Sequence, residues 1–245
     1  MKQTKLIMGM PISIEIVDAR TERYFSIIFD YFHSVDARFS TYKSDSEISQ
    51  INRGLPKSRW SKQMRLVMEL CEQTKQSSDG YFDIFHDGSY DPSGLVKGWA
   101  INNAAIKLVN LGARGFFIEA GGDIQVHGVN GQKFPWRVGI RNPFNTAEIV
   151  KTLQVASEGV ATSGTYIRGQ HIYNPKRPAD PIKGVASLTV IGPNIFEADR
   201  FATAAFAMGK TGINFIESMP GLEGYLIDDD GIATYTSGFE RYMVS

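Results

Sequence analysis

Residues 91–111, DPSGLVKGWAINNAAIKLVNL, restrict the fold of this chain more than any other stretch. Pro92 suits the first helical position, where its missing N–H would be unpaired in any case and its fixed φ is already helical. The helix so opened continues through Trp99, Ala104, Leu108 and Leu111. The segment leading into it, residues 81–98, reads YFDIFHDGSYDPSGLVKG. It is too rich in Gly, Asp, Pro and Ser for a regular element and too rich in aromatics for an idle loop. An aromatic loop therefore feeds directly into a helix start carrying Lys97 in its second turn. Unpaired amides and the helix dipole make such a start an anion site. The spacing is not that of a Walker P-loop, so this feature alone does not name the anion.

A second helix, from Asn194 to near Gly209, holds the other concentrated signal. Asn194 followed by Glu197 resembles a capping box with an amide cap, and Phe201, Ala204, Ala205 and Met208 have helical apolar spacing. Asp199 and Thr203 are four residues apart and project from one face, offering a carboxylate and a hydroxyl to one point, a pair that suits a hard cation. The plainer reading is a solvated Asp199 and a Thr203 that fills a gap.

Around these two helices the chain alternates strands and helices. Residues 12–17 alternate apolar and polar as a half-buried strand, preceded by Gly9 at a turn. A helix is expected from Thr21, as its cap, to about Arg38. Ser44 or Asp45 is expected to cap a short helix ending at Asn52, and a longer helix runs from about Lys62 to Gln76. Strands are expected at 115–119, 123–127, 136–140, 149–155, 159–163, 186–191, 224–227 and 232–236, the first two joined by Ala120-Gly121-Gly122. Those glycines permit a tight turn or a close approach to a ligand. Tyr42 lies in a polar loop as a stacking surface or a loop anchor. His171 precedes an Asn174-Pro175 turn; a histidine there is structural or functional, and His86 and His127 occur without any motif.

Composition limits the partners. Lys plus Arg equals Asp plus Glu at 26 each, so no overall charge favours nucleic acid or an acidic membrane. The single cysteine, Cys71, excludes an intramolecular disulfide and sits in a helical pattern as a packing residue. No apolar run is long enough to span a bilayer, and residues 1–10 contain no signal-type apolar stretch, which points to the cytoplasm. Small molecules and proteins remain as partners. An oxygen-liganded metal beside a helix N-terminus is a common way to hold a di- or polyphosphate. Magnesium-dependent phosphate-ester or pyrophosphate chemistry is thus expected, and Tyr42, Tyr81, Phe82 and Tyr173 suggest that the phosphate carries a flat ring system.

The segments Met8-Gly9, Ser40-Thr-Tyr42 with Ser46-Glu47, Gly80-Tyr-Phe-Asp83, Asp91 to Ala100, Gly121-Gly-Asp123, Thr162-Ser-Gly164, His171-Ile-Tyr-Asn-Pro175 and Ala198 to Thr203 occur in a characteristic order. In that order and spelling the chain resembles the FAD:protein FMN transferase (ApbE) family over nearly its whole length. The resemblance implies a single domain over residues 1–245 with an α+β fold related to the T-fold, in which FAD binds between two α/β lobes. It implies FAD contacts at Met8, Tyr42, Tyr81, Phe82, Asp83, Asp91, Lys97 and Tyr173. It places Mg²⁺ on the Gly94 carbonyl, Asp199 and Thr203, and a catalytic role on His171. The implied reaction moves FMN from FAD to a threonine or serine hydroxyl of an acceptor protein and releases AMP.

Some positions depart from the family pattern. Met10 replaces a threonine, Asn174 replaces an aspartate, Ala202 stands where some members carry a further carboxylate, and only seven residues separate Asp83 from Asp91. Many relatives are exported lipoproteins, so the lack of a signal implies a cytosolic acceptor or a trimmed chain. Two alternatives keep the same pocket: an FAD pyrophosphatase, in which water attacks, and a flavin-binding protein without turnover.

Overall fold

The computed structural model describes residues 1–17, 22–164 and 172–244. The expected Thr21 cap and His171 lie outside the described residues; the sequence of residues 168–175 also reads as a strand ending in the Asn174-Pro175 turn, but the described residues 172–174 form no strand. The fold is α+β. It is built on one eight-stranded sheet of order β1-β2-β5-β6-β9-β10-β11-β12, with every neighbouring pair antiparallel. These strands are β1 (Lys2–Ile7), β2 (Met10–Ile16), β5 (Phe116–Ala120), β6 (Asp123–His127), β9 (Gly159–Gly164), β10 (Ser187–Gly192), β11 (Glu223–Ile227) and β12 (Ala233–Tyr235). Two hairpins stand apart from the sheet: β3 (Phe85–His86) with β4 (Ser89–Tyr90), and β7 (Trp136–Arg141) with β8 (Ile149–Val155).

The turns that set the register follow from the residues in them. Met8 and Gly9 join β1 to β2 at φ 56° and 73°, and Gly121 and Gly122 join β5 to β6 at 59° and 94°. Two successive positive-φ residues are what a two-residue hairpin turn matching the twist of its strands requires. Ala120 therefore pairs with Asp123, which becomes the first residue of β6.

Between β2 and β5 the chain forms α1 (Glu22–Phe39), α2 (Glu47–Asn52), α3 (Lys62–Ser77) and α4 (Ser93–Asn110). Between β10 and β11 it forms α5 (Ile195–Ala207) and α6 (Gly212–Ser218). The helices cover one face of the sheet. Alternation within strands divides the cores: Leu188, Val190 and Leu226 join the larger, helix-covered one, while Ile191, Tyr225 and Ile227 join a smaller one with Trp136, Leu153 and Phe239. One continuous sheet thus carries two cores.

Helix ends agree with the sequence reading except in three details. Ser46, rather than Ser44 or Asp45, caps α2 by accepting from Ser49 N–H at 3.1 Å. The nearer hydroxyl wins because it sits at the residue where backbone geometry changes from extended to helical. Pro92 occupies the cap, one residue before the first helical residue. Asn194 caps α5 by accepting from Glu197 N–H at 3.0 Å, but Glu197 turns to Arg200 instead of reaching back, so no reciprocal box forms. Cys71 is buried, and desolvation pushes its thiol up to about 12, consistent with a packing residue. The edge strand β1 and the short β3–β4 hairpin have little apolar pattern to reveal them; β1 is mostly exposed.

Helix α5 lies directly on β9. The Ile195 N–H that opens it donates to the buried Gln125 Oε1 at 2.8 Å, and a Cβ at Gly159 would stand 2.0 Å from Ile195 N. Gly159→Ala should therefore push α5 off the sheet and cost about 1–3 kcal/mol or more in stability, by analogy with other overpacked cores. Urea unfolding of the two proteins measures it, and an unchanged midpoint would contradict this packing.

Candidate functional site

The cavity lies where α4, α5 and the C-terminal end of β9 meet the 81–91 loop. It has a volume of about 310 Å³, within the range of small-molecule sites. Tyr81, Phe82, Asp83 and Asp91 contribute from the loop, Gly94 and Lys97 from α4, and Asp199 and Thr203 from α5. Tyr173 completes the wall opposite. The structure does not bring the remaining two expected contacts to this cavity. Tyr42 is almost fully exposed, and Met8, in the β1–β2 turn, packs against the main core.

At the floor, α4 and α5 come into close contact because residue 98 is glycine. A Cβ there would lie 2.6 Å from Asp199 Cβ and 2.8 Å from the Ile195 carbonyl oxygen. Gly98 N–H donates to Asp199 Oδ2 at 2.7 Å, which turns Oδ1 toward Lys97 Nζ at 3.5 Å. One turn along each helix, Thr203 Oγ1 approaches the Gly94 carbonyl oxygen at 3.5 Å. The three expected metal donors therefore converge. The plainer reading of Asp199, a solvated surface carboxylate, is excluded, since the residue is 3% exposed.

The Gly-Gly turn also delivers a residue that did not stand out as a site residue in the sequence. Asp123 is fully buried, with Oδ1 accepting from Thr162 N–H at 3.2 Å and Oδ2 2.7 Å from Lys97 Nζ. That second contact is an ion pair without hydrogen-bond alignment, so Oδ2 has no aligned donor. Among the described residues, two buried carboxyl groups thus face the Lys97 ammonium. Hard oxygen donors with a second buried carboxyl group beside them fit a divalent cation such as Mg²⁺. Among the described residues no three His, Cys, Asp or Glu side chains group as a metal cluster, so neutral oxygens would have to complete such a shell. The only sequence signal for Asp123 was the Gly121-Gly-Asp123 spelling.

The walls are aromatic and largely engaged. Asp83 pairs with Lys75 at 2.7 Å, accepts from Phe85 N–H at 3.0 Å, and presents its carbonyl to Tyr173 Oη at 2.6 Å. Burial and the carboxylates Asp83, Asp91 and Asp87 push the Tyr173 hydroxyl up to about 12. Asp91 accepts from Ser93 N–H at 2.9 Å, using one of the amides that open α4. His86, read as a histidine without a motif, lines the cavity and stacks on Tyr173 with ring centroids 4.1 Å apart. Lys176 lies over the Tyr81 ring at 4.3 Å.

Burial pushes the Asp199 carboxyl from 3.8 up to about 8, opposed by Lys97 and reinforced by Asp123. Across that interval the folded protein holds a proton on Asp199 that the unfolded chain releases, so this group's contribution to stability is full below 3.8 and is lost as pH rises toward about 8. Denaturant unfolding in EDTA should show it as a difference: the stability of wild type relative to Asp199→Asn, which carries no charge at any pH, should decline as pH rises toward about 8.

The sequence profile of the ApbE family matches residues 8–88 and 86–226. An FAD:protein FMN transferase of Rhodobacter capsulatus is 31% identical over 209 residues, covering 82% of this chain and 37% of that protein. One from Haemophilus influenzae is 30% identical over 159 residues, covering 60% and 46%. The chain thus spans less than half the length of these curated relatives. In structure it is similar to the ApbE protein of Thermotoga maritima, with a TM-score of 0.90 at 20% identity over 100% of this chain and 99% of that one. The flavin transferase ApbE of Vibrio cholerae superposes with a TM-score of 0.84 at 22% identity, over 99% and 98%. No helix among the described residues is long and apolar enough to cross a membrane. With the profile taking in most of the sequence, the chain belongs to the ApbE family.

Proposed function

We propose that this protein is a Mg²⁺-dependent FAD:protein FMN transferase that places FMN on a threonine or serine hydroxyl of an acceptor flavoprotein and releases AMP. The carrying observation is the convergence of Lys97, Asp199, Thr203 and the Gly94 carbonyl at the floor of one aromatic-walled cavity. The names of the curated relatives support the same reading. FAD is the substrate, its pyrophosphate over the floor and a ring system against Tyr81, Phe82 and Tyr173. Tyr42 and Met8 would join it from outside the cavity described.

The acceptor hydroxyl oxygen attacks the flavin-side phosphorus, forming the new phosphoester bond. The bond from that phosphorus to the bridging oxygen breaks, and the oxygen leaves with AMP. His171 is the group we assign to take the hydroxyl proton. Lys97, 16% exposed at its side chain, offsets charge that builds on the phosphate oxygens. Bound at Asp199, Thr203 and the Gly94 carbonyl, Mg²⁺ would supply Lewis-acid stabilisation of that same charge. A cytoplasmic location belongs to the same proposal.

Incubation with FAD, Mg²⁺ and a candidate acceptor domain, followed by mass spectrometry, tests the reading. Covalent FMN on the acceptor supports transfer. Free FMN and AMP without it indicate a pyrophosphatase, and unchanged FAD indicates a binding protein. Asp199→Ala should lower Mg²⁺-dependent turnover by about 100-fold or more while the circular dichroism spectrum stays native; full activity would remove the metal assignment. His171→Ala should slow transfer more than it weakens FAD binding, and an equal loss of both would make the histidine structural.

A further inference from the structure

We propose that Asp123 is a positioning residue for Lys97, tethering its ammonium at the cavity floor so that it meets the substrate's pyrophosphate. The inference rests on the flavin-transferase reading for the identity of that substrate, but the tether itself is geometric. Asp123 is the first residue of β6, placed there by the two positive-φ glycines of the preceding turn. Its carboxylate cannot rotate freely, because Oδ1 is held by Thr162 N–H of β9 at 3.2 Å and the side chain is fully buried. Oδ2 is left facing Lys97 Nζ, 2.7 Å away, in an ion pair without hydrogen-bond alignment.

Lysine is the residue that needs such a partner. Its four-carbon stem has several rotamers, and its ammonium, unlike guanidinium, has no planar shape to lock a contact. Lys97 is only 16% exposed at its side chain and has two carboxylates in reach, Asp123 at 2.7 Å and Asp199 at 3.5 Å. The shorter contact is to the carboxylate anchored on the sheet, and the longer is to the expected cation ligand on α5. Tethering to Asp123 thus keeps the ammonium in the cavity and off the closer range of Asp199. Groups that orient a functional side chain in this way are commonly worth about 10–100-fold in affinity or activity.

The experiment compares wild type, Asp123→Asn, Lys97→Met and the double variant. The asparagine keeps an oxygen for Thr162 N–H and removes the charge facing Lys97 together with its repulsion of Asp199, which the Asp199→Asn arm controls for. The first readout is the ¹H–¹⁵N spectrum of lysine-labelled, metal-free protein without substrate. A protected Lys97 ammonium signal should be visible in wild type and should broaden or vanish in Asp123→Asn, while it persists in Asp199→Asn. The second is FAD affinity in EDTA, followed by flavin fluorescence. Asp123→Asn should weaken binding by about 10-fold, Lys97→Met by a similar factor, and the double variant no further, because both act through one ammonium. The double variant removes both charges, so it reports even where a lone buried lysine prevents the single variant from folding. A Lys97 signal and FAD affinity unchanged by Asp123→Asn would overturn the tether, as would fully additive losses in the double variant. Failure of wild type to bind FAD would instead sink the flavin reading while the ammonium spectrum still decides the tether.

Discussion

The structure depends on a small buried set of charges at the junction of α4, α5 and the sheet. Asp123 and Asp199 are both nearly inaccessible, and the Lys97 ammonium lies within 3.5 Å of each. Burying a charge without a partner is costly, and deleting one member of a buried pair typically loses about 3–5 kcal/mol. Each element supplying a member is therefore tied to the others. Lys97 comes from α4, Asp123 from the first residue of β6, and Asp199 from α5. Three chain segments far apart in sequence share one electrostatic problem, and the cavity sits where they share it.

Close backbone approach makes this possible. Gly98 lets α4 come within contact of Asp199, and Gly159 lets the start of α5 rest on β9. Both positions serve through the absence of a side chain. Gln125 contributes from the sheet by accepting the first amide of α5. The helix that carries two expected metal donors is thus fixed at its N-terminus by the strand that begins with Asp123. Scaffold and site are the same set of contacts.

The cavity wall shows the other side of this economy. In a chain where only seven residues separate Asp83 from Asp91, the loop closes as the β3–β4 hairpin. That hairpin brings His86 onto Tyr173, whose hydroxyl is in turn held by the Asp83 carbonyl. The carboxylate of Asp83 is spent on Lys75 and a backbone amide, and that of Asp91 partly on the start of α4. Expected contact residues therefore also hold the wall in shape, which a motif cannot distinguish from ligand binding.

How much was legible in the sequence follows from the range of the interactions involved. Local patterns determined the helices around Lys97 and Asp199, the β6 and β8 strands to the residue, the amide cap at Asn194 and the glycine turns, because hydrogen bonds and side-chain periodicity within a few residues decide them. The same-face pairing of Asp199 and Thr203 was legible for that reason, and the order of motifs sufficed for the family. The edge strand β1, the cap at Ser46 and the stacking of His86 on Tyr173 were not, since none is written in a periodic apolar pattern. Least legible was Asp123. On the sequence it is a polar residue after two glycines; only the antiparallel pairing of β6 with β9 buries it, and only the packing of α4 on the sheet brings Lys97 to it. The sequence by itself determined which residues could carry charge and which segments could be regular. Tertiary structure alone decided which of those charges are buried together, because burial is a property of the packed layers and of no single segment.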